Sequence, residues 1–449
     1  MKTGFFLLFI SLLFVVNAYA QKAWSLQECV DYALQNNIQV KQTELQTALS
    51  ELNKSDRKLN MFPTLNGDAS QNFSYGRSVD PYTNLYIQQN TQSTNFSLSS
   101  GVILFNGLQL LNSLKQSNLD CMASRYDLNK IKNDISLNVC AGYLQVLFSN
   151  ELLMQAQTRL NAIKKQRDVT KALVDAGNLA QGNLYEIDAQ VANEELQLVN
   201  AENALKQAYL DLTQLLNLTT TEGFTVTDPK VEVPSTESIG LSSEAIYATS
   251  LSVMPEIKSA EFKLQSAEKG LAIAKGAYYP RLSAYGSIGT TYSDRIKDFD
   301  ATTQTLTEVS FGKQMDRNFN QSFGFGLSVP IFNGNQARNN VSRAKIQMQS
   351  QSFALDQQKQ LLYKSIQQAH TDASAAKSRY DASQKSLEAL QTADDYTKKK
   401  FNAGLLTSLD YITSQKNLTK AQSDLLQSKY DFIFRLKILD FYMGKPLGF

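Results

Sequence analysis

The sequence predicts a mainly α-helical protein that also carries a few long β-strands and is built from two copies of one unit. Residues 335–403 contain no Gly or Pro, which favours a single helix because these residues are the strongest helix breakers. At 1.5 Å per residue such a helix is on the order of 100 Å long. Residues 108–176 form an equally long stretch that only Gly142 interrupts. Each stretch follows a segment in which apolar and small residues alternate, as in a strand with one apolar face.

The second copy repeats the turns of the first at a constant spacing of 227 residues. The matched turn residues are Gly107 and Gly334, Gly177 and Gly404, and Asn217 and Gly444. A shared period of this kind indicates an internal repeat. We therefore predict a first repeat over residues 21–218 and a second over 241–444, joined by a linker at 219–240 and followed by a C-terminal tail at 445–449. The predicted long helices cover about 107–176 and 183–217 in the first repeat, and about 334–403 and 408–443 in the second.

Four strands are predicted, at about 64–75, 93–105, 281–292 and 321–332. The fourth is the most regular, because Phe323, Phe325 and Leu327 alternate with small residues. About ten residues is the length that a tilted strand needs to cross the hydrocarbon layer of a membrane. A soluble antiparallel sheet with one buried face shows the same alternation, so the strands alone leave both interpretations open. Long polar loops join the strands of each pair.

The first twenty residues have the pattern of a secretory signal peptide. A positive start at Lys2 precedes an apolar run from Phe5 to Val16, and small residues occupy Ala18 and Ala20. This pattern predicts a signal peptide over residues 1–20 that is cleaved after Ala20. Beyond it the sequence has no run of about 18 apolar residues, so an integral membrane component would have to use its strands.

Charge and cysteine content exclude several classes of function. The chain has 44 Lys and Arg against 42 Asp and Glu, so it has no basic excess with which to bind nucleic acid. Cys29, Cys121 and Cys140 fall in predicted helices at spacings that match no metal site. We expect buried free thiols. The sequence also shows no nucleophile elbow, no Walker loop and no metal-binding His pair, so we predict neither an enzyme nor a cofactor site.

Four strands per chain are too few to close a barrel whose backbone groups are all paired in lipid. Closure therefore requires several copies: two chains supply eight strands and three supply twelve. Side chains fill an eight-stranded barrel, whereas a wider barrel leaves a lumen. If the chain forms a conduit, three copies are therefore favoured over two.

This layout resembles the TolC family of outer-membrane efflux and secretion channels, from Trp24 to Gly444. The similar features are the signal peptide, the repeated strand–strand–helix–helix unit, the Phe-Asn-Gly junctions and the Gly-x-Leu turns. The resemblance implies a homotrimer with a twelve-stranded membrane β-barrel in outer-membrane lipid, continued by a twelve-helix tunnel through the periplasm of a Gram-negative bacterium. It also implies a passive exit duct of a tripartite efflux or type I secretion system, which docks to a periplasmic adaptor protein and an inner-membrane transporter.

The resemblance also assigns roles to residues near the helix turns. The adaptor-contacting tips correspond to Gly177, Asn178 and Leu179 in the first repeat and to Gly404, Leu405, Leu406 and Thr407 in the second. The first tip is expected to carry two additional polar residues, Gln181 and Gly182, and to lack the usual hydroxyl. The aperture corresponds to Asp410, with Thr413 and Asn183 at the neighbouring and matching positions. The alternative role for Asp410 is to cap a helix N-terminus, where an acid is also favoured.

Two other classes of function remain as alternatives. A periplasmic adaptor also contains a long helical hairpin, but a single one between β-rich halves, whereas here the hairpin occurs twice. An enzyme on a helical scaffold would need a convergent polar cluster, which the sequence does not reveal.

Overall fold

A computed structural model describes residues 23–79, 84–229, 237–302 and 304–446. The predicted signal peptide and the last three residues of the predicted tail lie outside the described residues. The chain divides into two compact units. One comprises the chain up to Leu45, Tyr126–Lys258 and the chain from Gln357 onward, and the other comprises Gln46–Arg125 and Ser259–Asp356.

The first half of the chain contains four helices and two strands within its described residues. They are α1 (Leu26–Asn36), α2 (Ile38–Leu59), β1 (Thr64–Val79), β2 (Tyr86–Asn106), α3 (Gln109–Asp175) and α4 (Gln181–Leu215). Helix α1 begins with a capping box: the backbone N–H of Glu28 donates to Ser25 Oγ at 3.3 Å, and that of Ser25 donates to Glu28 Oε2 at 2.9 Å.

The second half repeats this order and adds short elements between its strands. After a 3₁₀ turn (Glu237–Gly240) come α5 (Ser243–Val253), α6 (Pro255–Gly276), β3 (Arg281–Ser293), β4 (Lys297–Asp300), β5 (Thr305–Glu308), α7 (Phe311–Arg317), β6 (Asn320–Ser328), α8 (Gln336–Asn402) and α9 (Ser408–Tyr442). Helices α3 and α8 have 67 residues each, and α4 and α9 have 35 each. Among the described helices, none is long and apolar enough to span a membrane.

The two longest helices begin two residues later than predicted, because two left-handed residues precede each of them. Gly107 and Leu108 have φ of 66° and 63°, and Gly334 and Asn335 have 61° and 64°. Only Gly adopts this conformation without cost. The left-handed conformation can therefore be predicted from the sequence at the Gly of each Phe-Asn-Gly junction, but not at the residue that follows it.

All four long helices end in the same kind of turn. The second residue after each helix is left-handed, with φ between 58° and 75°: Gly177, Asn217, Gly404 and Gly444. In the first of these turns the N–H of Gly177 donates to Val174 O at 2.9 Å, and the N–H of Asn178 donates to Leu173 O at 2.8 Å. This is the Schellman arrangement, which satisfies carbonyls that the helix end leaves without partners.

Strands β1, β2, β3 and β6 form one antiparallel sheet in the order β1-β2-β3-β6, and the sheet is open at β1 and β6. The β1–β2 hairpin is longer than predicted, because pairing continues to Val79 and Tyr86. Strand β6 is shorter than predicted and ends at Ser328 instead of 332. Pro330 lacks the N–H that a strand needs to extend its pairing.

The long polar loop predicted at 293–320 contains structure that the sequence did not reveal. Strands β4 and β5 pair with each other, and α7 follows them. Buried Gln314 fixes α7, since its Nε2 donates to Ser293 O at 2.9 Å and to Val309 O at 2.8 Å. One amide side chain thus holds the loop against the end of β3.

The largest core lies in the unit that contains Tyr126–Lys258, among α1, α3, α4 and α9. Tyr143 is fully buried there, and its hydroxyl lies 2.7 Å from Thr227 O and 3.3 Å from Trp24 O. The predicted cysteine state is confirmed, since all three cysteines are buried free thiols. Burial raises the pKa of Cys29 to about 12 and that of Cys140 to about 11, so both remain protonated near neutral pH.

Candidate functional site: two helix turns and a two-faced sheet

Two turns connect the long helices, and both lie in the unit that contains Tyr126–Lys258. We call residues 176–183, between α3 and α4, the first tip and residues 403–410, between α8 and α9, the second tip. In the second tip the N–H of Gly404 donates to Phe401 O and that of Leu405 to Lys400 O, both at 2.9 Å. These bonds match those at Gly177 and Asn178, so the two tips share one backbone turn.

The second tip carries a complete capping box. The Thr407 hydroxyl accepts from Asp410 N at 3.2 Å and donates to Asp410 Oδ2 at 2.6 Å, and Thr407 N donates to the same oxygen at 3.1 Å. These hydrogen bonds lower the pKa of the Asp410 carboxyl below its ordinary value. Asp410 therefore performs the capping role that the sequence left as an alternative. Its role at an aperture stays a prediction.

The first tip has no such box. Ala180 occupies the N-cap position of α4 and offers no side-chain hydrogen bond, while Asn183 donates from Nδ2 to Ala180 O at 3.3 Å. Helix α4 begins at Gln181, two residues before the predicted start at about 183. Gln181 and Gly182 are therefore helical residues and not an insertion. Ala180 takes the place of Thr407 at the 227-residue spacing and has no hydroxyl.

The two tips expose different side chains to solvent. Leu405 in the second tip is 72% exposed, whereas its counterpart in the first tip is the polar Asn178. Leu179 and Leu406 are half-buried at matching positions. Because Leu405 replaces Asn178, the second tip is the more apolar of the two. Exposed apolar side chains at a turn are characteristic of contact surfaces when they belong to a larger patch.

The predicted aperture residues lie within the first two turns of two different helices. Asp410 and Thr413 are exposed on α9, where Thr413 Oγ1 donates to Leu409 O at 2.7 Å. Asn183 is half-buried on α4 and takes the position that Asp410 has in the second repeat. Of these three residues, only Asp410 carries a carboxylate.

Sequence reasoning missed a pair of residues farther from each tip. In the first hairpin Arg167 Nε lies 2.9 Å from Asp188 Oδ1. The positions 227 residues later hold Asp394 and Gln415, and Gln415 Nε2 donates to Asp394 Oδ2 at 2.6 Å. The duplication therefore keeps the contact and exchanges a cation for an acid. Aligning the two repeats residue by residue is the signal that would have revealed it.

The four-stranded sheet has one apolar and one polar face, because directly paired residues point to the same side. The apolar face includes Leu65, Phe73, Phe96, Leu98, Ile288, Phe323, Phe325 and Leu327. The polar face includes Asn66, Asp68, Ser70, Asn95, Ser97, Ser99, Ser283, Ser287, Ser322 and Gly324. The large apolar side chains are strongly exposed in the single chain, 74% at Phe323 and 69% at Leu65. Such a surface is unfavourable in water and suited to lipid.

Comparison with known proteins decides the family. The family model described as outer membrane efflux protein matches residues 29–218 and 246–445. The chain belongs to the outer membrane efflux protein family. Outer membrane efflux protein BepC of Brucella suis is 21% identical over 331 residues, which cover 74% of this chain and 68% of BepC. Cation efflux system protein CusC of Escherichia coli K12 is 22% identical over 412 residues, which cover 89% of this chain and 82% of CusC.

Solved structures of outer membrane efflux proteins share the fold. A crystal structure of CusC matches with a TM-score of 0.77 at 18% identity, covering 94% of this chain and 92% of that chain. Family membership confirms the predicted resemblance, the function as an outer-membrane efflux or secretion channel, and the location in the outer membrane of a Gram-negative bacterium. It supports this main function and not the adaptor alternative. The family consists of transport proteins, and the predominantly helical fold agrees with the predicted class.

Proposed function

We propose that three copies of this outer membrane efflux protein form the exit duct of a tripartite export system. The three sheets combine into one twelve-stranded barrel in outer-membrane lipid, and the long helices continue it as a twelve-helix tunnel in the periplasm. The duct is passive and catalyses no reaction. A periplasmic adaptor docks on its helix tips, and an inner-membrane transporter, reached through the adaptor or directly, supplies the energy.

The main support for this proposal is the open sheet, which has one apolar and one polar face. Strands β1 and β6 leave backbone groups unpaired along the two edges of the sheet, which lipid does not tolerate. Joining copies edge to edge pairs these groups, turns every apolar face outward and every polar face inward, and leaves a lumen when twelve strands are present. Three copies are the smallest ring that meets all three conditions.

The test of this assembly is the mass and conductance of the purified protein. Native mass spectrometry from detergent should give three chains per particle, and the same particles should conduct ions across a planar bilayer. Particles of one chain, or three-chain particles that conduct no ions, would contradict the proposal.

Adaptor docking is expected to depend more on the second tip, because Leu405 is exposed there and Asn178 replaces it in the first tip. Exchanging the two side chains tests this directly. In a host lacking the wild-type gene, L405N should reduce tolerance to exported toxic compounds, whereas N178L should not. Both variants should retain the mass and conductance of the wild type, which separates docking from assembly. Equal loss of tolerance would contradict an unequal role.

The aperture is expected at Asp410, with Thr413 and Asn183 supplying neutral groups at the neighbouring and matching positions. Three copies place three Asp410 carboxylates in one ring, which favours cations by close-range electrostatics. The variant D410N should lower the ratio of cation to anion permeability in bilayers. The control T407V removes the cap hydroxyl, keeps the carboxylate, and should leave the permeability ratio unchanged. If T407V lowers the ratio as much as D410N, capping and not ring charge sets selectivity.

A further inference from the structure

A recess of about 830 Å³ lies over α9, between α3 and α8, in the unit that contains Tyr126–Lys258. This volume falls in the range of small-molecule sites, which is about 300–1,000 Å³. The surface of the recess combines aromatic rings with charged groups of both signs. We call it the α9 recess, and the question is which chemical class of ligand its side chains fit.

Three aromatic side chains form the apolar part of the α9 recess. The rings of Phe148 and Tyr430 meet edge to face, with centroids 6.0 Å apart and planes at 66°. Phe434 lies one turn after Tyr430 on α9 and lines the same recess. Tyr430 is buried, whereas Phe148 and Phe434 are half-buried and leave part of their rings accessible. Accessible aromatic faces attract cations through the negative charge above the ring.

The charged groups of the recess leave one carboxylate without a counterion. Arg379 Nη2 lies 2.7 Å from Asp431 Oδ2, and Arg435 Nη1 lies 3.0 Å from Asp372 Oδ2. Both guanidinium groups are therefore neutralised by carboxylates. Asp424 also lines the recess and is exposed, and it forms no ion pair within the part of the chain that the structure describes. The recess thus offers a free negative charge beside aromatic rings.

The first repeat has no equivalent set of side chains. Three recess residues of α9 have counterparts on α4, 227 residues earlier, that carry neither a charge nor a ring. These counterparts are Gln197 for Asp424, Ala204 for Asp431 and Gln207 for Phe434. The α9 recess is therefore not a general result of the long-helix packing that both repeats share, because it depends on side chains specific to the second repeat.

The recess opens on the side of α9 that faces away from the 3₁₀ turn. Asp440 Oδ1 accepts from Ser238 Oγ of that turn at 2.6 Å. Asp431 is nine residues before Asp440, and at 3.6 residues per turn the two side chains leave α9 in opposite directions. In the proposed duct, segments added to the ring of long helices lie outside it, because inside they would fill the lumen. The α9 recess would then face the lumen.

We propose that the α9 recess binds amphipathic organic cations, with Asp424 as the charge partner and Phe148 and Phe434 as the apolar surface. Such a cation buries apolar groups against the rings and keeps its charge beside the carboxylate. An organic anion would meet an uncompensated negative charge instead. Lys420, one turn before Asp424, does not line the recess. Only the position of the recess in the duct wall rests on the proposed function, because the binding chemistry belongs to the single chain.

Equilibrium dialysis of the full-length protein in a non-ionic detergent tests this site, with the uptake by protein-free micelles subtracted. The two probes are tetraphenylphosphonium and tetraphenylborate, which have nearly the same size and shape and opposite charges. Tetraphenylphosphonium should bind saturably at one site per chain, and tetraphenylborate should bind more weakly or not at all. Saturable binding of tetraphenylborate with equal or greater affinity would show that the recess does not select cations.

Three variants assign the binding to the recess. D424N should weaken the binding of tetraphenylphosphonium about fivefold or more, because it removes a charge close to the bound cation. F434L keeps an apolar side chain but removes the ring, and should weaken the binding about threefold. The matched control D175N changes an exposed carboxylate about 40 Å from Phe148 along α3 and should bind like the wild type. Wild-type affinity in D424N, or an equal loss in D175N, would overturn the assignment.

Alkylation of the variant A382C locates the bound probe. Ala382 is exposed and lines the recess, whereas the three native thiols are buried and react slowly. Tetraphenylphosphonium should slow the alkylation of A382C, and this protection should disappear in A382C/D424N. If the protein forms conducting particles of three chains but A382C is not protected, the recess is not the site and the assembly stands. If the protein is a single chain and A382C is protected, the recess binds the cation and the proposed assembly is wrong.

Discussion

The two tips share the same backbone turn but differ in the hydrogen bonds that their side chains make. Gly177 and Gly404 have φ of 75° and 73°, and both begin the same pair of backbone hydrogen bonds. Beyond the turn, Thr407 and Asp410 form a capping box where Ala180 and Asn183 do not. The turn geometry is fixed by a glycine that both copies retain, while the side chains that secure the following helix have diverged.

The same contrast continues along the helices. The pair Arg167 and Asp188 is 38% and 42% exposed, whereas Asp394, at the position of Arg167, is only 5% exposed. Asp394 accepts from Ser414 Oγ at 2.9 Å and from Gln415 Nε2 at 2.6 Å. A buried carboxylate depends on its hydrogen bonds far more than an exposed ion pair does, because water cannot replace them. The second hairpin is therefore expected to be the more sensitive to substitution.

The largest effect is expected from removing this buried acid. D394A leaves the donors of Ser414 and Gln415 without an acceptor and should lower the free energy of unfolding by about 1.5–3 kcal/mol. R167A removes an ion pair that water can replace and should change little. The measurement is the unfolding midpoint in detergent, followed by helical circular dichroism. D394N, which keeps an acceptor oxygen, should fall between the two. Equal midpoints for D394A and R167A would show that the exchanged pairs are energetically alike.

A smaller effect, equal at both tips, is expected from the turn glycines. G177A and G404A each force an L-residue into a left-handed conformation and should cost about 1–2 kcal/mol. Open space surrounds both positions, so steric collision adds nothing to either. Protease sensitivity at each tip is the local measurement, with G182A as a helical control in which Ala should be tolerated. Unequal costs would mean that the tips differ in backbone strain as well as in side chains.

Exchanging the caps should make the tips more alike. T407A should cost about 1 kcal/mol, the usual value of an N-cap hydroxyl. A180T should stabilise the start of α4, because Ala180 already has the extended backbone of an N-cap residue, with φ −73° and ψ 148°. Amide hydrogen exchange at the two helix starts measures both changes. If A180T has no effect, Asn183 already supplies what the cap would add.

Most of the helical fold could be predicted from the sequence because Gly and Pro mark its ends. The positions of Gly107, Gly177, Gly334 and Gly404 identified the two longest helices to within two residues. The loop at 293–320 could not be predicted in the same way, because Gln314 holds it through a contact with Ser293, 21 residues earlier in the chain. The exchange of Arg167 for Asp394 belongs to no recognisable motif, and only a residue-by-residue alignment of the two repeats shows it. The residues that form a turn can be recognised in a sequence, whereas the burial of a side chain depends on how the helices pack.

The smallest expected effect concerns pH at the tips. The bonds from Thr407 lower the pKa of Asp410 below its unfolded value. Its stabilising contribution is therefore complete above the ordinary carboxyl pKa of about 3.9 and is lost as pH falls through the lower folded value. Amide protection at residues 405–411, corrected for the intrinsic exchange rate, should fall as pH drops below about 4. Protection at residues 178–184 should not, because Asn183 does not titrate. D410N should abolish this pH dependence, whereas a decline that persists in D410N would assign it to another carboxyl group.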